Sequence, residues 1–94
     1  MRITNVIWLP DIVDKLAWKH RVATIEVEHV LVHPTRFKFA ELGRHHGEDV
    51  YVAFGQTEAG RYLAVWFIYK FNQEALILSA REMDGKERNS YGKK

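Results

Sequence analysis

The chain has 94 residues, enough for one domain and too few for two independent cores. It has no cysteine, which excludes disulfides, thiolate metal sites and Cys-His catalysis, and favours a reducing compartment. Fourteen basic and twelve acidic residues leave a formal charge of +2, too mild to mark a nucleic-acid binder on charge alone.

Residues 3–8 read as a short strand, and nothing before Pro10 resembles a leader peptide. Pro10 and Asp11 open a first helix, since proline suits the first turn and an acid suits the positive end of the helix dipole. Ile12, Val13, Leu16, Ala17 and His20 recur at helical spacing, with Lys15, Lys19 and His20 gathered toward the negative end. Thr24 is the expected N-cap of a second helix whose apolar stripe is Val27, Val30 and Leu31, and Pro34 ends it.

The period then changes. Residues 36–40 alternate polar and apolar like a half-exposed strand, and 42–47 form a polar turn holding His45 and His46. Residues 49–56 form a strand with Val50, Val52 and Phe54 on one face, followed by a hairpin turn at 57–60. Residues 61–69 are almost continuously apolar, which fits a central strand covered on both faces and is far too short for a membrane span. After a turn at 71–74, residues 75–81 make the last strand, with Leu76 and Leu78 on one side and Ile77, Ser79 and Arg81 on the other. Asp84 and Glu87 have the spacing of a capping box for a third helix reaching Tyr91. The order β-α-α-β-β-β-β-α gives an α+β domain over 1–94. Its small, mostly antiparallel sheet carries two N-terminal helices on one face, and a partly open second face is flanked by the C-terminal helix.

Several chemistries lack their residues. There is no glycine-rich phosphate loop, no His-Glu-x-x-His motif, and neither Ser79 nor Ser90 lies in a nucleophile elbow. His29 and His33 share a helix face but have no third ligand at proper spacing, and neighbouring His45 and His46 make a weak metal clip. No metal or cofactor is therefore expected. His20, at the end of the first helix, suits either a structural hydrogen bond or proton transfer near neutral pH. Arg61 and Arg81 sit at strand ends, while Arg88 and Tyr91 share a helix face. Converging beside the open sheet face, three guanidiniums and a phenol would suit phosphate, which guanidinium binds in bidentate fashion.

The segment 79–91 (Ser-Ala-Arg, then a helix with Glu87-Arg88 and Tyr91) resembles the C-terminal signature of BrnT-type toxins. Lys19-His20 followed by Val22 and an acidic second helix is similar to the same family, as is the hairpin 55–63 that delivers Arg61 into the apolar strand. The family usually has glycine after the Lys-His pair, where Arg21 stands here, and Tyr51, Trp66 and His45-His46 carry no family pattern. The resemblance covers nearly the whole chain. It implies a RelE-like fold and a metal-independent ribonuclease toxin that uses the RNA 2′-hydroxyl as nucleophile, and the missing cysteines and leader make the cytoplasm the expected location. It also implies a BrnA-type antitoxin partner in a complex with two toxin copies. On that basis Arg61 and Arg81 would stabilise phosphate, His20 with Lys19 would move a proton or contact phosphate, and Arg88 and Tyr91 would bind RNA or antitoxin. The alternative is a non-catalytic module of the same fold that binds a protein or nucleic acid.

Overall fold

In the computed structural model, residues 1–33, 36–43, 45 and 47–92 are described. Pro34, His46 and the terminal lysines, on which expectations fell, lie outside them. The elements run β1 (Asn5–Ile7), α1 (Pro10–Lys15) continuing as a π-helical segment (Leu16–His20), α2 (Thr24–Val32), β2 (Arg36–Glu41), β3 (Val50–Gln56), β4 (Tyr62–Tyr69), β5 (Glu74–Glu82) and α3 (Gly85–Gly92). The fold is α+β, and its five strands form one mixed sheet in the order β1-β5-β4-β3-β2. β2 to β5 pair antiparallel through short connections, whereas β1 joins β5 in parallel through Asn5–Ile7 opposite Glu74–Leu76. The long apolar run therefore forms β4 at the centre of the sheet, paired on both sides.

Alternation along β4 separates the two faces. Leu63, Val65 and Phe67 join Leu16, Val22, Val27, Val30 and Leu31 in the main core, completed by Ala53, Ala75, Ile77 and Ala80. Burying a side chain such as Leu63 or Ile77 contributes about 1.5–3 kcal/mol, so this cluster dominates stability. Ala64 faces the other way, with Val52 and Met83, and Phe54, Tyr62, Trp66 and Tyr91 pack around them.

Local chemistry sets the element ends. Asp84 Oδ1 accepts from the Glu87 backbone N–H (2.7 Å), and Glu87 returns the bond to the Asp84 N–H (2.9 Å), the reciprocal cap expected from sequence. At α2 the expectation needs correction. The N-cap is Ala23, Thr24 is the first helical residue, and Glu26 Oε1 accepts from the Ala23 N–H (3.0 Å). The Glu26 N–H, which a side-chain cap would otherwise take, donates to the Ala23 carbonyl (3.1 Å).

A second correction concerns β5. Trp66 is opposite Ser79 and Phe67 is opposite Ile77, so Leu78 is an extra residue with no partner in the ladder. Such a bulge reverses the alternation beyond it. Ile77 stays on the core face, while Ser79 and Arg81 turn to the opposite one. Strict period-two reading had placed all three together.

Candidate functional site on the α3 face and the β5 edge

Because of the bulge, Arg81 lies opposite Ala64 and projects toward α3. Its Nη1 donates to Glu87 Oε1 (2.7 Å) and its Nη2 to Glu87 Oε2 (2.9 Å), a forked grip on a carboxylate. Nη1 also donates to the Glu82 carbonyl (3.0 Å), and the guanidinium carbon sits 4.8 Å from the Trp66 ring centre. The hydrogen bond from Arg81 holds the Glu87 carboxyl below its usual range, against the opposing effect of burial.

The same face gathers more cations over rings. Arg88 lies 4.2 Å above Tyr62, and Arg36 lies 5.7 Å from the centre of Tyr91 while donating to the Ser90 carbonyl (2.9 Å). Tyr62 and Tyr91 meet edge to face at 6.0 Å. Arg36 and Lys38 of β2 pair with Phe54 and Val52 of β3, which places their side chains on this face too. Between β2 and α3 lies a cleft of about 360 Å³ lined by Arg36, Lys38, Phe54, Lys86, Glu87 and Tyr91 among others.

Lys19 and His20 end the π-helical segment, which packs against β5. Wider turns of this kind occur often at functional sites. β1 covers only the first part of β5, so the half that carries Arg81 lies along an edge of the sheet. The His20 pKa is pushed below its ordinary 6.5, first by desolvation and then by the charges of Lys19, Lys15 and Arg81. The positive charges of Lys19, Lys15 and Arg81 thus disfavour the imidazolium form.

Arg61 lies elsewhere. The Thr57 hydroxyl accepts from the Arg61 N–H (3.0 Å), and the Arg61 carbonyl accepts from the Thr57 N–H (2.8 Å), which closes the hairpin and fixes where the side chain starts. Its Nη1 donates to both oxygens of Glu26 (2.9 Å each) and to the Arg21 carbonyl (2.9 Å), and its Nη2 donates to Glu82 (3.1 Å). Partial burial works against the Arg61 charge, and the bonds to Glu26 and Glu82 outweigh it and raise the pKa. These partners belong to the helix-bearing side. Arg81, Arg88 and Tyr91 therefore share a face, and His20 lies at the β5 edge, while Arg61 is bonded on the other side to Glu26, to Glu82 next to Arg81 and to the carbonyl of Arg21 next to His20.

Arg21 itself takes the left-handed conformation, φ 54°, that glycine fills in the family pattern. A side chain there costs about 1–2 kcal/mol. The bond from Arg61 to the Arg21 carbonyl holds the turn directly after Lys19-His20.

Sequence reasoning missed Tyr62, Trp66, Arg36 and the grip of Glu87. Tyr62 and Trp66 have the same parity as Ala64, a usable signal once β4 is known to be covered on both sides. Glu87 was read only as a cap. Among the described residues no three His, Asp or Glu side chains gather in metal-binding geometry, and no helix is long and apolar enough to cross a membrane.

No curated protein matches this chain. A family model described as the ribonuclease toxin BrnT of type II toxin-antitoxin systems matches residues 8–87, and with that span covered the chain belongs to the BrnT family.

Proposed function

We propose that this chain is an RelE-like endoribonuclease toxin that acts in the cytoplasm as one domain and cleaves RNA by internal attack of a 2′-hydroxyl. In such a reaction the 2′-oxygen bonds to the adjacent phosphorus and the 5′-oxygen of the next nucleotide leaves. The products carry a 2′,3′-cyclic phosphate and a 5′-hydroxyl. The nucleophile belongs to the substrate, so the protein's task is to accept and return a proton and to stabilise charge on phosphoryl oxygens. This chemistry requires no metal.

The observation that carries the reading is the forked grip of Arg81 on a carboxylate at 2.7 and 2.9 Å. The Glu87 oxygens stand where two phosphate oxygens would bind. A neutral His20 takes the 2′-hydroxyl proton, and a bound phosphate, by offsetting the nearby cations, raises its pKa as the proton arrives. Lys19 adds charge toward the phosphate. Arg61 acts at one remove as a positioning residue: it holds the Arg21 turn and thereby the end of the segment bearing Lys19 and His20. Arg88 and Tyr91 hold the flanking RNA.

A toxin must be silenced in its own cell, so a BrnA-type antitoxin covers this face, in an assembly with two toxin copies. The experiment is induction of the chain with and without the product of the neighbouring reading frame. Growth arrest with RNA cleavage, relieved by a co-purifying partner, supports the proposal. Stable RNA in arrested or unaffected cells contradicts it.

A further inference from the structure

Three arginines on one sheet face each lie over an aromatic ring: Arg88 on Tyr62 at 4.2 Å, Arg81 on Trp66 at 4.8 Å and Arg36 on Tyr91 at 5.7 Å. Guanidinium is planar. With a ring below, its other side is a flat, weakly hydrated surface, and its N–H groups point outward in the plane. Arg88 is the clearest case. It is exposed and lies over the Tyr62 ring, and among the described residues its guanidinium has no ion pair. A solvent-facing arginine 4.2 Å over a tyrosine ring offers its planar guanidinium to a base and its N–H donors to phosphate together.

Tyr62 and Trp66 are four residues apart on β4, about 13 Å along the strand. Arg36 and Lys38 continue the positive surface onto β2, and Lys86 borders the cleft between β2 and α3. A phosphate chain needs such a row of cations, and unpaired bases need flat platforms set at intervals beside it. A duplex buries its base faces in its own stack and cannot use them.

We infer that the α3 face binds single-stranded RNA by stacking unpaired bases on the arginine planes backed by Tyr62 and Trp66, with Arg36, Lys38 and Lys86 taking the phosphates. This inference rests on the ribonuclease reading above and names its substrate class: RNA with unpaired bases beside the cleaved bond. Trp66, for which the family pattern offers nothing, becomes a binding residue through Arg81. One guanidinium then serves two ends, with its plane toward a base and its edge toward the phosphate that replaces Glu87.

The test is fluorescence anisotropy with a short oligoribonucleotide 2′-O-methylated throughout, so that binding is read without cleavage. It is compared with an abasic strand of equal length and charge and with a duplex. Wild-type protein should bind the ordinary single strand at least tenfold more tightly than either. Arg88→Lys, which keeps the charge and loses the plane, should reduce the ordinary strand's affinity several-fold and leave the abasic strand unchanged. Trp66→Leu should do the same. The comparison of strands on wild-type protein needs no variant and stands even if Trp66→Leu folds poorly. Equal binding of ordinary and abasic strands, or of single strand and duplex, overturns the inference. So does capture of the neighbouring-frame protein by this face when no oligonucleotide binds. Cleavage of unmodified RNA, measured in parallel, separates the two readings: cleavage with equal abasic binding removes the stacking inference alone, and absence of both removes the ribonuclease reading as well.

Discussion

Replacing Arg61 with alanine tests the division of labour between the two strand-end arginines. The side chain is only 27% exposed and Glu26 only 22%, so this pair is partly shielded from water, whereas Glu82 at 66% is a solvated partner. Losing the charged bonds to Glu26 costs about 1.5–3 kcal/mol, tempered by water reaching the carboxylate and by its remaining bond to the Ala23 N–H. The bond to the Arg21 carbonyl adds about 1 kcal/mol, and the exposed Glu82 arm adds at most about 1 kcal/mol. These losses overlap, and a total near 2–3 kcal/mol is expected. In a chain of this size that lowers Tm by about 10–20 °C. Arg61→Lys should recover part of it, because one ammonium cannot reach Glu26, Glu82 and the carbonyl together. Urea unfolding followed by circular dichroism gives the number. A loss below about 0.5 kcal/mol would refute the clamp and return Arg61 to the role of a free phosphate ligand.

Four further outcomes follow from the same geometry. Arg21→Gly should stabilise the chain by about 0.5–1 kcal/mol, the relief of a left-handed side chain less the unfolded-state entropy of glycine, read as a higher urea midpoint. Gly47→Ala should destabilise, because φ is +83° and the new Cβ would meet the Phe71 ring at 2.5 Å; an unchanged thermal midpoint would contradict this. Glu87 has a lowered folded pKa, so its pairing with Arg81 stabilises above the ordinary carboxylate pKa and fades as pH falls through the folded value. Acid titration of wild type against Glu87→Gln should therefore show the difference in stability closing below about pH 4.5. His20, whose pKa is lowered in the free protein, should give a kcat/KM for cleavage that falls on the acid side of the ordinary histidine range, a limb missing in His20→Ala.

Much of the architecture was legible because periodicity reports it directly. The change from helical to alternating spacing near residue 35, the apolar run of β4 and the Asp84-Glu87 cap each follow from one local rule. The bulge at Leu78 obeys no such rule. The residue is an ordinary strand former, and its exclusion from the ladder depends on how β5 fits β4. That one insertion turned Arg81 away from the side of Arg61, so the expected cluster of three guanidiniums could not be sorted by face from sequence. Arg21, standing where the family has glycine, left the turn after Lys19-His20 open in the sequence, and it adopts the left-handed conformation. Its stabiliser is Arg61, forty residues away, which no local reading finds. Tyr62 and Trp66 lie in the apolar run of β4, and their pairing with Arg88 and Arg81 depends on where α3 lies.

The central claim, that Arg81 at the β5 edge promotes internal attack on an RNA phosphate, is met most directly by single-turnover cleavage of a DNA strand carrying one ribonucleotide, in chelator, with the product ends identified. The account predicts a single cut 3′ to the ribonucleotide, a 2′,3′-cyclic phosphate, and a rate about 10²–10³-fold lower in folded Arg81→Ala, with partial recovery in Arg81→Lys. Cleavage of the all-DNA strand, a 3′-hydroxyl product, or an undiminished rate in folded Arg81→Ala would contradict it.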